Sequence, residues 1–396
     1  MVAGCPAAPG GSATSTGLAE LFRRFGPTYL RTHVLSPEQA RALRHIIDCR
    51  TPAMGGHEHS CDRCGHSWCA YNSCRDRHCP ICQGLQQRRW IERRMERLLP
   101  THHFHVVFTE PEALRPLNLA NRKVLYNLLF ASATDTLMQL ADERWDALPG
   151  ITSVLHTWTR RMQYHPHLHC IVTGGGLAED GGWFSCGPRF LFPVKVLGAL
   201  FRGKFLAGLR ALFDAGELRF VGTSAHLQHP VAFEGLLDEL YRQSWVVYAK
   251  RPFGGPTQLV RYLGLYTHRV GISNSRLLSF TDDEVVFETR KGTSPSRVHP
   301  DEFLRRLLLH TLPKGFRKIR HRGLYAPSNV RTKLRYARYI LEGLNRQQRR
   351  HAAPALPPSP PPVLRNDYCP ACGYWPLRHT RLPPVRGPPC SAPPGP

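Results

Sequence analysis

At 396 residues the chain is too long for one ordinary core, and two or three domains are expected. Lysine and arginine number 53 against 29 aspartates and glutamates, a formal charge of +24 whose self-repulsion calls for a polyanionic partner; DNA or another nucleic acid fits best. The pattern speaks against a membrane: there is no run of about 18 apolar residues and no amphipathic segment basic enough to anchor.

The start, MVAGCPAAPGGSATSTG, has no basic n-region and no apolar h-region, so it does not read as a secretory signal. A disordered start, a cytoplasmic location and reduced thiols are therefore expected. LAELFRRFGPTYL and SPEQARALRHIIDC read as helices, the second with Ser36 as cap, Pro37 at the first helical position and Glu38 in the first turn. These complete a first segment, 1–50. Residues 51–82 are short, polar and rich in cysteine, and QGLQQRRWIERRMERLL (83–99) is a strongly basic helix pattern, so 51–100 reads as a zinc-binding knob with a basic helix.

A third region, 101–345, has the mixed pattern of a larger domain. HHFHVVFT reads as a strand ended by Pro111, 117–142 as a helix, and SVLHTWT and HLHCIVTG as two further strands, with a turn at Gly174, Gly175 and Gly176. Helices are expected near 193–214, 230–250 and over 257–269. A hairpin follows with Asp282 and Asp283 at its turn, then basic helices over 300–311 and 328–350. The last segment, 346–396, holds the proline-rich APALPPSPPPV and a tail with a lone cysteine pair, Cys369 and Cys372.

Six of the thirteen cysteines fall between Cys61 and Cys82. Cys61-Asp-Arg-Cys64 and Cys79-Pro-Ile-Cys82 are two C-x2-C turns, and each such turn brings two thiolates to one ion. Together they make a closed tetrahedral Zn2+ site, which folds the knob rather than doing chemistry. Cys69, Cys74, His57, His59, His66 and His78 all lie nearby in sequence, and Cys74 or His78 could replace one of the four. Cys369 and Cys372 supply half a tetrahedron; Cys390, His379 or another subunit of a homo-oligomer would supply the rest.

His167 and His169 are spaced to project from one face of a strand, with Leu168 and Cys170 turned to the other. Two such imidazoles can converge on a divalent ion. A third ligand is needed, and His156 in the preceding strand is the first candidate, with Gln163 and Glu110 as alternatives. Tyr262 and Tyr266 are spaced i, i+4, one turn apart on a helix that also carries Leu259, Leu263 and Val270. The spacing alone fits either two core aromatics or two phenolic nucleophiles in one site. For the second reading, a divalent ion on the histidines would activate the phosphodiester.

The motifs CRT (49–51), SCRDRHCPICQ (73–83), HVVFT (105–109), LHTW (155–158), HPHLHCIVTGGGL (165–177), YLGLYTHRVGISNSRLL (262–278), LPKGFRKIRHRGL (312–324) and CPACG (369–373) together resemble the two-tyrosine, HUH-type transposases of bacterial rolling-circle insertion sequences. That resemblance implies an α+β catalytic domain, a central antiparallel sheet with flanking helices, preceded by a small zinc-binding domain. It implies His167 and His169 as ligands of Mg2+ or Mn2+, and Tyr262 and Tyr266 as nucleophiles that cleave single-stranded DNA at element ends through a 5'-phosphotyrosine link. The stretch ETRKGTSPSRVHPDEF and the proline-rich tail depart from the family's pattern. The rival expectation is a zinc-ribbon protein that binds DNA without catalysis, or an inactive remnant.

Overall fold

The computed structural model describes residues 17–250, 264, 271–289, 294–349 and 368–385. Its strands, in chain order, are β1 (Gly56–Ser60), β2 (Ser67–Tyr71), β3 (His103–Thr109), β4 (Ala147–Trp158), β5 (Tyr164–Ala178), β6 (Trp183–Ser185), β7 (Val247–Lys250), β8 (Leu277–Phe280), β9 (Val285–Phe287), β10 (Ser296–Val298), β11 (Ile319–Gly323) and β12 (Arg378–Leu382). The chain divides into two units, one from 1–84, 272–308 and 354–396, the other from 85–271 and 309–353. The fold is α+β with antiparallel sheets, and among the described residues no helix is long and apolar enough to cross a membrane.

In the second unit the strands pair in the order β11-β4-β5-β3-β7, with β6 on the end of β5. β3 alternates buried and half-buried residues, as a strand between a core and a wetter face does, whereas β4 is buried on both faces. One face carries Phe104, Phe108, Leu155, Leu168, Cys170 and Val172 into the main core, packed with the helices Arg122–Trp145 and Val194–Asp214. Leu168 and Cys170 are fully buried there, as their spacing predicts. Truncating Leu168 to alanine would cost about 2–5 kcal/mol through lost burial and the cavity left behind. On the opposite face Val154 and Ile171 pack against Trp90, Ile91 and Met95 of the basic helix Gly84–Met95. That helix is therefore not a fully solvated face: its apolar stripe sits on the sheet.

Three expectations for this unit are corrected. Gly174, Gly175 and Gly176 do not turn the chain; they lie within β5, which runs on to Ala178. Gly175, at φ +147°, faces Ser185 of β6 so closely that a side chain would strike the Phe184 carbonyl, so glycine here permits strand approach rather than reversal. The helix of 117–142 is two helices, Arg115–Ala120 and Arg122–Trp145, broken at Asn121, whose side chain bonds the backbone of Leu117 and Arg219. The helix near 230–250 stops at Arg242, and Val247–Lys250 instead becomes the edge strand β7.

The first unit holds two small sheets, β12-β1-β2 and β10-β9-β8, with the helices Leu18–Thr32, Pro37–Asp48 and most of Pro300–Leu309. Ser36 caps as its position predicts: its Oγ accepts from Gln39 N at 3.2 Å, and Gln39 Oε1 accepts from Ser36 N at 3.0 Å. Phe303 packs on Phe22 and Phe287, with ring centroids 6.5 and 5.7 Å away, which joins the N-terminal helix to residues beyond 272. The hairpin expected around Asp282 and Asp283 is present as β8 and β9.

Candidate active site and metal centres

β4 and β5 run antiparallel with His156 directly opposite His167. Opposed residues share a face, and His169, two residues on, returns to it. The ring centroids are 5.4 Å apart for His156 and His167, 4.1 Å for His156 and His169, and 4.9 Å for His167 and His169. One ligand nitrogen from each lies within 4.8 Å of the others. Sequence spacing pointed to this group, including His156.

Hydrogen bonds fix which nitrogens face inward. His167 Nδ1 donates to its neighbour's backbone, the His165 carbonyl oxygen, at 2.8 Å, which leaves the Nε2 lone pair for an ion. His169 Nδ1 lies 2.7 Å from Nε2 of His105 on β3. If that His169 nitrogen donates, its Nε2 is left as the acceptor in the same way. The rings are held neutral: burial pushes His167 down to about 4, and burial with neighbouring imidazoles holds His156 and His169 well below the usual range. Lys318 adds a further positive charge near His156. Neutral imidazoles shielded from water, with His167 and His169 hydrogen-bonded through Nδ1, are the donor set that a divalent ion needs, while the charge of Lys318 works against it. The three side chains therefore fit such an ion.

Of the alternative third ligands, Glu110 is outside the histidine group. It is buried, takes a hydrogen bond from Asn118 Nδ2 at 2.6 Å, and burial pushes its carboxyl up to about 8. Gln163 lies in the turn between β4 and β5, where its backbone N–H donates to Thr159 Oγ1 at 3.2 Å. Tyr262 and Tyr266 lie outside the described residues. Gly264, midway between them in sequence, is described: it is buried against Ile91 and Trp90, the residues that lie on the Val154 and Ile171 face. His156, His167 and His169 occupy that same face of the sheet.

In the first unit eight of the nine described cysteines fall into two groups of four, with Cys69 in neither, and the expected set of Cys61, Cys64, Cys79 and Cys82 is split between them. Cys79 and Cys82 join Cys74 and Cys49; Cys61 and Cys64 join Cys369 and Cys372. The physical reason is the hairpin of β1 and β2: the first C-x2-C turn sits at its tip, between Ser60 and Ser67, while the second follows its far end. Cys49 was not singled out as a ligand because it has no close cysteine partner in sequence. It stands at the C-terminus of the helix Pro37–Asp48, held by the bond from its N–H to the Ile46 carbonyl. His78 is not in either group. It bonds Asp76, as does His45; burial opposes ionisation of that carboxyl, but the two imidazoles outweigh it and hold the pKa well below the usual range. Cys74 and Cys82 sulfurs are 3.7 Å apart, close to the edge of about 3.8 Å for a tetrahedron with Zn–S near 2.3 Å.

Comparison with known proteins gives two family matches and two curated relatives. Residues 150–333 match the Y2_Tnp family model, described as "Putative transposase", and residues 21–110 match a "Transposase zinc-binding domain", Zn_Tnp_IS91. The chain is 45% identical over 333 residues to "Putative transposase y4qJ" of Sinorhizobium fredii, covering 82% of this chain and 84% of that protein. It is 28% identical over 302 residues to "Transposase for insertion sequence element IS801" of Pseudomonas savastanoi pv. phaseolicola, covering 73% and 70%. The zinc-binding match and the cysteine groups together support structural zinc.

Proposed function

The chain belongs to the IS801/IS91 family of transposases, which are rolling-circle transposases, and on that premise we propose that it nicks and joins single-stranded DNA at element ends through a 5'-phosphotyrosine intermediate. Membership of the family makes it a DNA-cleaving and strand-transfer enzyme. The observation that carries the finer reading is the convergence of His156, His167 and His169 as neutral donors, His156 and His169 buried and His167 half-buried.

In this reading the three imidazoles hold Mg2+ or Mn2+. When bound, that ion supplies Lewis-acid polarisation of the scissile phosphate and charge stabilisation on the leaving oxygen. The backbone carbonyl of His165 and the ring of His105 orient the ligands. One phenol, Tyr262 or Tyr266, attacks the phosphorus; the new bond joins its oxygen to the 5'-phosphate. The bond to the 3'-oxygen breaks, and the proton lost by the phenol is balanced by the one gained at the freed 3'-hydroxyl. The second phenol cleaves a second strand, and a 3'-hydroxyl then displaces a tyrosine to rejoin DNA. The phosphodiester energy is conserved as a phosphotyrosine rather than released to water. The charge of +24 favours the polyanionic substrate, with binding that weakens as salt rises.

The test is to mix the protein with Mn2+ and single-stranded oligonucleotides carrying element ends, denature, and look for covalent protein–DNA adducts. Adducts are expected with the native chain and Mn2+, and lost with chelator or in the Tyr262→Phe/Tyr266→Phe double variant. Adducts that persist in that variant, or cleavage that leaves only free 5'-phosphate ends, would refute the reading.

A further inference from the structure

We infer that Cys61, Cys64, Cys369 and Cys372 bind a second structural zinc, which clasps the C-terminal segment 368–385 to the N-terminal hairpin. This goes beyond the zinc-binding family match, which ends at residue 110 and so contains only half of these donors. It does not depend on the catalytic reading above.

The two turns that face each other are built alike. In Cys61-Asp-Arg-Cys64-Gly65, Gly65 N donates to Cys61 O at 2.9 Å and Cys61 N to His66 O at 2.9 Å. In Cys369-Pro-Ala-Cys372-Gly373, Gly373 N donates to Cys369 O at 2.8 Å and Cys369 N to Tyr374 O at 2.9 Å. Gly65 and Gly373 both sit at φ +71°, where a side chain would be strained. Two segments some three hundred residues apart thus form the same thiolate-presenting turn.

The sulfurs meet across the gap between the turns: Cys61 to Cys372 at 3.7 Å and Cys64 to Cys369 at 3.6 Å. Those lengths match the edge, about 3.8 Å, of a tetrathiolate zinc site and exceed a disulfide bond of about 2.05 Å by far. All four sulfurs lie within 4.8 Å of one another.

Among the described residues the segment is otherwise held by a short set of contacts, including Val385 N donating to Pro52 O at 3.0 Å and the His379 ring edge-on to His59 at 4.6 Å. β12 pairs with β1 over five residues, Gly56–Leu382 to Ser60–Arg378. The apolar cluster at the junction buries only Cys61, Cys369 and Leu377, with Trp68 and Tyr374 beside them. The Arg378–Asp62 pair, 3.2 Å, is exposed and contributes little. Without a cation the four thiols contribute to this small cluster only the burial of Cys61 and Cys369. Deprotonated around zinc, they close it, and the metal's binding energy becomes folding energy for both chain ends.

Elemental analysis of the purified full chain tests this. Two zinc ions per chain are expected in the native protein, one in Cys369→Ser/Cys372→Ser, and one in Cys74→Ser/Cys82→Ser. Two zincs retained in the first variant, or one in the native protein, would overturn the inference. A readout on the native chain avoids dependence on variant folding. Cys64 and Cys372 are exposed, so as free thiols they would alkylate quickly. In zinc-loaded protein they are expected to resist alkylation, and to become reactive together with Cys61 and Cys369 on adding a strong chelator. Rapid alkylation of Cys64 and Cys372 in the zinc-loaded protein would overturn the clasp.

Discussion

The Nδ1 of His169 lies 2.7 Å from the Nε2 of His105, a histidine from the neighbouring strand β3. The rings are stacked at 5.0 Å with 12° between their planes. Burial pushes His105 down to about 4, so its ring is neutral at ordinary pH, and in the tautomer with His169 Nδ1 as donor its Nε2 accepts. His105 thus orients a proposed ligand without being one. Replacing it with alanine is expected to raise the Mn2+ concentration for half-maximal cleavage about 10–100-fold, the usual effect of losing such a partner. His105→Gln, which keeps an acceptor, should recover part of the loss. A metal titration unchanged by His105→Ala would show that the contact is structural only.

Gly264 packs against Ile91 and Trp90 of the basic helix. A Cβ built there collides with the Ile91 side chain. Gly264→Ala should therefore cost about 1–3 kcal/mol of stability, as overpacking does. Combined with Ile91→Ala the two losses should be clearly less than additive, because each relieves the other. Additive losses in denaturant titration would mean the two residues are not in contact.

Cys49 belongs with Cys74, Cys79 and Cys82. Cys49→Ser is therefore expected to lower bound zinc by one ion per chain, as severely as Cys79→Ser does, while His78→Ala leaves the count unchanged. Full zinc content in Cys49→Ser would contradict this ligand set.

Glu110 gives the chain a pH dependence with a definite sign. Unfolded, its carboxyl ionises at about 4.3. Folded, burial holds it protonated up to about 8, although the Asn118 hydrogen bond works the other way. Between those values the folded state binds the extra proton, so this group's contribution to stability falls as pH rises. Glu110→Gln keeps an acceptor for Asn118 and removes the titration. The variant should gain stability over the native protein by roughly a few kcal/mol at pH 8, with little difference near pH 4. Parallel stability curves across that range would contradict the assignment.

Much of this was legible in the sequence, and the exceptions share a cause. His167, His169 and His156 could be read because a two-residue period and one antiparallel return fix which side chains meet. Ser36 was legible because capping is local. His105 was hidden: its role depends on β3 lying beside β5, a pairing that no spacing announces. The cysteine partners were misgrouped for the same reason. Proximity in sequence favoured joining Cys61 and Cys64 to Cys79 and Cys82, whereas the hairpin separates them and β12 brings Cys369 and Cys372 to the tip. Gly174 to Gly176 looked like a turn because glycine permits both reversal and close strand approach, and composition alone does not distinguish them.

The most direct measurement is the identity of the residue that carries DNA after cleavage. Digesting the Mn2+-dependent adduct with protease and nuclease, then sequencing the modified peptide by mass spectrometry, should locate a 5'-phosphonucleotide on Tyr262 or Tyr266. Its appearance on any other side chain, or the recovery of cleaved DNA with both tyrosines unmodified, would contradict the account.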